Sequence, residues 1–159
     1  IKCHLVKMPI STRRVVDESY AKNKIVSFAD GYPFMIIGQS SLDDLNSRME
    51  ASLPMNRFRT NFVFTGGKPF EEDDWKKLKI NDVKFEAVKP CARCVITTTN
   101  QETAERLHEP LLTLSKYRKF DNKVMFGMNL VCESTGIVKV GDILEPIKPG
   151  FFNSFLKKF

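Results

Sequence analysis

The segment Pro90-Cys91-Ala92-Arg93-Cys94 sets two thiols at C-x-x-C spacing with a guanidinium between them. Such a pair can share a metal, form a redox disulfide, or pack as two semi-buried thiols. A structural zinc takes four ligands. No second C-x-x-C occurs, and His4 and His108 are isolated. A thioredoxin-type pair follows a strand and opens a helix, whose end lowers the thiol pKa. Cys94 instead leads into Val95-Ile96-Thr97-Thr98-Thr99, a β-branched run that predicts a strand. There remains a single thiolate on a strand edge, stabilised by the charge of Arg93. A soft thiolate beside a cation suits a thiophilic metal that arrives with an anionic cofactor.

The second chemical signal is Asn56-Arg57-Phe58-Arg59-Thr60-Asn61. If this stretch enters a strand, Arg57 and Arg59 project to one side and Asn61 continues their parity. Arginine forks two hydrogen bonds onto a phosphate or carboxylate. The same residues also read as a solvated strand end. Gly66-Gly67-Lys68 lacks the Gly-Lys-Ser/Thr ending of a phosphate loop and a helix after it. With only two histidines, any three-histidine metal site is excluded.

These residues need a scaffold, and the apolar pattern supplies one. Strands are predicted at Lys2–Met8, Ile25–Phe28, Phe34–Ile37, Asn61–Thr65, Val83–Val88, Arg93–Thr99, Phe126–Glu133 and Val138–Ile147. Ser134-Thr135-Gly136 reads as the turn of a hairpin between the last two. A helix over Ser41–Met49, capped by Ser40 or Ser41, puts Leu42, Leu45 and Met49 on one face. A second helix runs from Glu109-Pro110-Leu111 to Lys119, and one helical turn is expected at Glu71–Trp75. The strands outnumber the helices and are not spaced as β-α-β units. The expected class is α+β, mostly β: a largely antiparallel barrel with two or three peripheral helices. After Pro149-Gly150, the phenylalanines 151, 152, 155 and 159 with Leu156 recur at helical spacing and predict an amphipathic tail over 149–159.

The 159 residues are one domain's worth of chain, 42% hydrophobic and 28% charged. The net charge of +6 is scattered rather than drawn into a stripe with aromatics, which argues against nucleic acid and for a small anionic ligand. No apolar run is long enough to span a bilayer. Four cysteines are too few for a secreted disulfide scaffold, so a reducing, cytoplasmic setting is expected. A first residue of Ile1 rather than Met marks the chain as an expected fragment of a longer protein.

Taken in order, several of these segments resemble the MOSC domain, the C-terminal domain of molybdenum cofactor sulfurase. They are Arg57–Phe64, Pro69-Phe70-Glu71-Glu72-Asp73-Asp74-Trp75, Val88–Cys94 with Thr97-Thr98, Glu109-Pro110-Leu111 with Leu114, Phe126-Gly127, and Gly136–Asp142. Each is modest alone; six in the family's order are specific. Ser41–Arg48 is most similar to the amidoxime-reducing branch. The resemblance runs from about Phe28 to Ile147, within a domain whose core is about 25–147. It implies a MOSC-type β-barrel that holds molybdopterin-bound molybdenum, the molybdenum cofactor. In that branch the second cysteine of the motif is the molybdenum ligand, here Cys94, which makes it the catalytic and metal-binding residue. By similarity Arg59 and Asn61 hold the cofactor's phosphate and pterin, and Ala92 and Arg93 line it, with Arg57 beside them. Gly31 and Tyr32 match another cofactor-contact segment, although small hydroxyl residues are usual there. Asn129 stands where a relative has an aromatic contact. The family association extends to pyridoxal phosphate binding. The activity implied is reduction of N-hydroxylated small molecules, with electrons from a separate iron–sulfur or haem protein. Branch members also carry an N-terminal β-barrel domain before the core, and nothing in this chain corresponds to it. The alternative is a sulfur-carrier or sulfurase module with a persulfide on Cys94, or a fragment inactive alone.

Overall fold

Alternating apolar side chains draw residues 2–149, those described by the computed structural model, into one seven-stranded sheet. Its strands are β1 (Phe34–Gly38), β2 (Phe62–Phe64), β3 (Trp75–Ile80), β4 (Val83–Arg93), β5 (Lys119–Phe120), β6 (Lys123–Cys132) and β7 (Leu144–Pro149). The order is β2-β1-β6-β4-β3-β7, with β5 paired to β6. Only β1 and β2 run parallel. Two helices, α1 (Gln39–Asn46) and α2 (Leu111–Leu114), and 3-10 turns at Met55–Phe58, Glu71–Asp74 and Val95–Thr98 complete the fold. The expected α+β, mostly-β class is observed, as a barrel-like sheet that stays open between its end strands. A cavity of about 710 Å³ lies in that opening, lined by Phe62, Val63 and Phe64 on one side and Ile143, Leu144 and Pro146 on the other.

The sheet carries a core on each face. Inside lie Ile36, Leu78, Phe85, Met128 and Leu130, with Trp75, Ile80 and Val83. Outside, Met35, Ile37 and Phe126 pack under Leu42 and Leu45 of α1, Phe58, and Leu114 of α2. Each such fully buried side chain contributes about 1.5–3 kcal/mol through removal from water. Phe126 and Met128 share parity in sequence yet belong to opposite cores. Gly127 between them has φ +82°, which breaks the alternation. A Cβ there would stand 2.6 Å from Ile37 Cγ1 and 3.0 Å from the Ile36 carbonyl. A third cluster, Val16, Ala21, Val26, Tyr32 and Val131, anchors the N-terminal segment.

Two of the acidic residues at 71–74, Glu72 and Asp73, are buried and structural rather than solvated. Glu72 is fully buried and accepts hydrogen bonds from the Gly38 N–H (3.2 Å) and the Ser41 hydroxyl (2.9 Å). Burial pushes its carboxyl above the usual range. Asp73 forms a buried ion pair with Arg118, which also donates to the Met125 carbonyl at 3.2 Å.

Several expected elements differ. Lys2–Met8 is exposed and is not a strand, and Ile25–Phe28 contributes only one bridge, Val15 to Ile25. α1 begins at Gln39 with Gly38 at its N-cap, and Ser41 serves Glu72 and the Phe70 N–H instead of capping. The predicted strand Arg93–Thr99 is overturned: β4 runs through Arg93 and the next residues form a 3-10 turn. The second helix is cut to one turn. Ser134–Gly136 makes no hairpin, because β7 covers only Leu144–Pro149 and pairs with β3 rather than β6. The predicted tail over 149–159 lies outside the described residues after Pro149. No helix among the described residues is long and apolar enough to cross a membrane.

Gly127→Ala should cost about 2–4 kcal/mol in urea unfolding, since it adds a backbone clash to left-handed strain. Gly66→Ala, also at positive φ but with nothing within 4 Å, should cost about 1 kcal/mol. Glu72 should make its own pH signature. With its folded pKa raised, the unfolded chain releases this proton first, so stability falls as pH rises above the ordinary 4.5. Glu72→Gln keeps one acceptor oxygen for the Gly38 N–H and the Ser41 hydroxyl, removes the titration, and should flatten that fall in melts between acid and neutral pH.

Candidate functional site

β4 is the spine of the site. After a register shift between Ala87 and Lys89 against β6, the outer face of β4 carries Lys89, Cys91 and Arg93. Cys91 packs partly buried against the outer core. The Arg93 guanidinium lies over this face. Nη2 donates to the Phe58 carbonyl at 2.6 Å, and Nη1 meets Met35 Sδ at 2.7 Å and Cys91 Sγ at 3.1 Å. Its Nε is buried with no hydrogen-bond partner. Met35 is thus a site residue that sequence reasoning missed. No local pattern marks it, because only the pairing of β1 with β6, and β6 with β4, brings it to Arg93.

Cys94 follows at the end of the strand, exposed, with φ −108° and ψ 177°. It heads the turn Val95–Thr98, where the Thr97 N–H (3.2 Å) and hydroxyl (2.9 Å) donate to its carbonyl. Extended backbone between Cys91 and Cys94 separates them by about 10 Å, against the 4.4–6.8 Å that a disulfide needs. The two thiols therefore neither pair nor share an ion in this conformation. No cluster of three or more His, Cys, Asp or Glu able to hold a metal occurs among the described residues. A metal here would rest on one thiolate and on ligands that arrive with it.

The Arg57 segment is stitched to the Cys94 turn. Arg57 Nη1 donates to the Thr98 carbonyl (3.4 Å), Gln101 donates to the Asn56 carbonyl (2.7 Å), and Arg93 takes Phe58. Arg57 is 6% exposed. The expected strand parity of Arg57, Arg59 and Asn61 is not observed. Arg57 sits in a 3-10 turn and Arg59 ends it with φ +54°, so the two arginines are not related by strand alternation. Arg59 is exposed. Asn61, also exposed, accepts the Met35 N–H at 2.9 Å and donates its own N–H to the Met35 carbonyl. Among the described residues no carboxylate lies within ion-pair distance of Arg57, Arg59 or Arg93, whereas Arg48 and Arg118 each hold an aspartate. A buried guanidinium without a counter-charge is costly. These residues, with an orphaned Nε among them, fit an anionic group bound beside Cys94.

The other expected contacts are more dispersed. Ala92 is exposed, on the alternate parity of β4 from Arg93. Asn129, opposite Met35 and Lys89, spends its amide on the Pro90 carbonyl at 3.4 Å. Gly31 is exposed, and Tyr32 is buried in the N-terminal cluster, which packs against Val88 in the middle of β4. Burial lifts the Tyr32 hydroxyl to a pKa of about 12, and that hydroxyl has no hydrogen-bond partner. Lys89 turns its amine onto the Tyr20 ring, 4.3 Å from the centroid, and stands 4.0 Å from Asp17.

Comparison with known proteins agrees with this architecture. The MOSC domain model matches residues 23–145. "Mitochondrial amidoxime reducing component 2" of Rattus norvegicus is 41% identical over 135 residues, which is 79% of this chain and 40% of that protein. "Mitochondrial amidoxime-reducing component 1" of Homo sapiens is 36% identical over 143 residues, 84% of this chain and 42% of that protein. "Molybdenum cofactor sulfurase" of Arabidopsis thaliana is 37% identical over 114 residues, 64% of this chain and 14% of that protein. The chain spans about 40% of the length of the first two. With its matched core, its barrel-like sheet and a cysteine motif at the end of the central strand, the chain belongs to the MOSC domain family.

Proposed function

We propose that the chain is the molybdenum cofactor-binding part of an oxidoreductase that reduces N-hydroxylated compounds, with Cys94 as the molybdenum ligand. The observation that carries this reading is the pair of arginines without a carboxylate partner, buried Arg57 and half-buried Arg93, at the strand end that presents Cys94. Arg93 and Arg57 offset the cofactor's negative charge, Arg59 and Asn61 take its phosphate and pterin, and Ala92 offers backbone at its edge. Gly31, Tyr32 and Asn129 belong to a more distant contact. When bound, the molybdenum supplies oxygen-atom transfer. The net reaction is R–N–OH with two electrons and two protons, giving R–N–H and water. The electrons come from a separate iron–sulfur or haem protein. The protein's own work is to hold one exposed thiolate in fixed register beside fixed positive charge.

The fragment expectation belongs to the same proposal. In the branch this chain resembles, an N-terminal β-barrel domain helps enclose the cofactor, so these 159 residues alone are expected to hold it weakly or to be inactive. Pyridoxal phosphate is not part of the proposal, because Lys89, the lysine on this face of β4, is engaged with Tyr20 and Asp17. For location, the relatives' names support mitochondria, and the cytoplasm is carried as the alternative. A second reading, a sulfur carrier with a persulfide on Cys94, is favoured by the exposure of that thiol and by the sulfurase similarity. Release of thiocyanate by cyanide would identify it.

Elemental mass spectrometry on protein from a host that makes the cofactor, with and without an upstream domain, tests the first reading. Molybdenum should be retained in Cys91→Ser and lost in Cys94→Ser; equal loss in both would count against the ligand assignment. Arg59→Ala should lower molybdenum content without altering the fold. If Arg57 exists for a ligand, the ligand-free chain should tolerate its loss. Arg57→Met should stay within about 1 kcal/mol of the parent in urea unfolding, while Arg118→Met, which strands Asp73, should cost about 3–5 kcal/mol.

A further inference from the structure

A groove of about 500 Å³ adjoins the turn headed by Cys94. Val95 and Thr98 of that turn form one wall, and Leu107, Leu111 and Leu112 form the other. The walls are fixed to each other: the Leu107 N–H donates to the Thr98 carbonyl at 3.1 Å, and Thr99 bridges Arg106. Val95, Leu107 and Leu112 are 55%, 52% and 52% exposed, three large apolar side chains left half in water around one concavity. Its volume falls in the range of small-molecule sites, about 300–1,000 Å³. The polar side chains of the lining are Thr98, Arg106 and His108, and no carboxylate lines it.

We propose, resting on the reading of Cys94 as the metal ligand, that this groove binds the apolar aryl body of an uncharged N-hydroxylated substrate and disfavours its cationic product. Continuity with Cys94 argues for this occupant, since Val95 is the next residue and one turn carries both. The charge pattern argues for the selectivity. An N-hydroxyamidine is uncharged at neutral pH because its oxygen withdraws electron density. Cleavage of the N–O bond by two electrons and two protons releases water and leaves an amidine, which takes a further proton and becomes a cation. In a groove with Arg106 and no carboxylate, that cation finds no counter-charge, so reduction weakens the hold on its own product.

Methyl NMR of the purified chain tests this without molybdenum. Benzamidoxime should shift the Val95, Leu107 and Leu112 methyls saturably. Acetamidoxime, lacking the ring, and benzamidine, carrying the charge, should each bind at least about tenfold more weakly. Leu112→Asp and Leu107→Asp should weaken benzamidoxime binding about tenfold and leave the remaining methyl spectrum unchanged, while Leu112→Met should retain it. Shifts centred elsewhere, or equal binding of benzamidine, would overturn the inference. Loss of groove binding with molybdenum still held through Cys94 would sink this inference alone. Groove binding in a protein that never takes up molybdenum would sink the cofactor reading and leave an aryl-binding groove.

Discussion

The structure depends on the antiparallel ladder between β4 and β6, the two longest strands. A regular ladder would give each strand one buried face and one exposed face. This one is irregular at two places on β4 and carries a left-handed glycine on β6, and so serves two cores. Its inner face closes over Phe85, Met128 and Leu130, while its outer face passes from Lys89 through Cys91 to Arg93. Beyond the bulges that cost local regularity, Arg93 reaches Met35, Phe58 and Cys91. Fold and site are consequences of one pairing, and a shift in it would move both.

Charge on the same scaffold is held in two ways. Two arginines outside the site meet a carboxylate, Arg118 with Asp73 inside and Arg48 with Asp44 on α1, while Arg14 ties the N-terminal segment through the Ser27, Ala29 and Asp30 carbonyls. Around Cys94 the arginines meet carbonyl oxygens and sulfur instead. Neutral acceptors fix a guanidinium's position while leaving its charge uncancelled and available to an anion.

Much of this was legible in the sequence because the signals were local. β1, the alternating start of β4, the helical spacing of Leu42 and Leu45, and the turn over residues 71–74 all follow from period and composition. The family motifs gave the order of the site. What sequence could not supply was tertiary choice. Val95–Thr98 has the composition of a strand, but beyond Arg93 there is no partner strand for it, and pairing decides over propensity. Ser41 looks like a cap and is consumed by Glu72, thirty-one residues away. Arg57 and Arg59 follow strand parity only if the chain is extended there, and the left-handed Arg59 cancels the premise. Met35 enters the site through two successive strand pairings that no spacing rule encodes.

The open side of the sheet has its own chemistry. β7 lies at one border with Pro146 and Pro149 among its six residues, and proline lacks the N–H that a neighbouring strand would need. β2, at the other border, is three residues long, has no proline and holds Val63 half exposed. The gap between them is therefore lopsided: one rim resists strand addition and the other permits it. Of the two end strands, the short rim at Phe62–Phe64 is therefore the one better able to take a stray strand, the common hazard of an unclosed sheet.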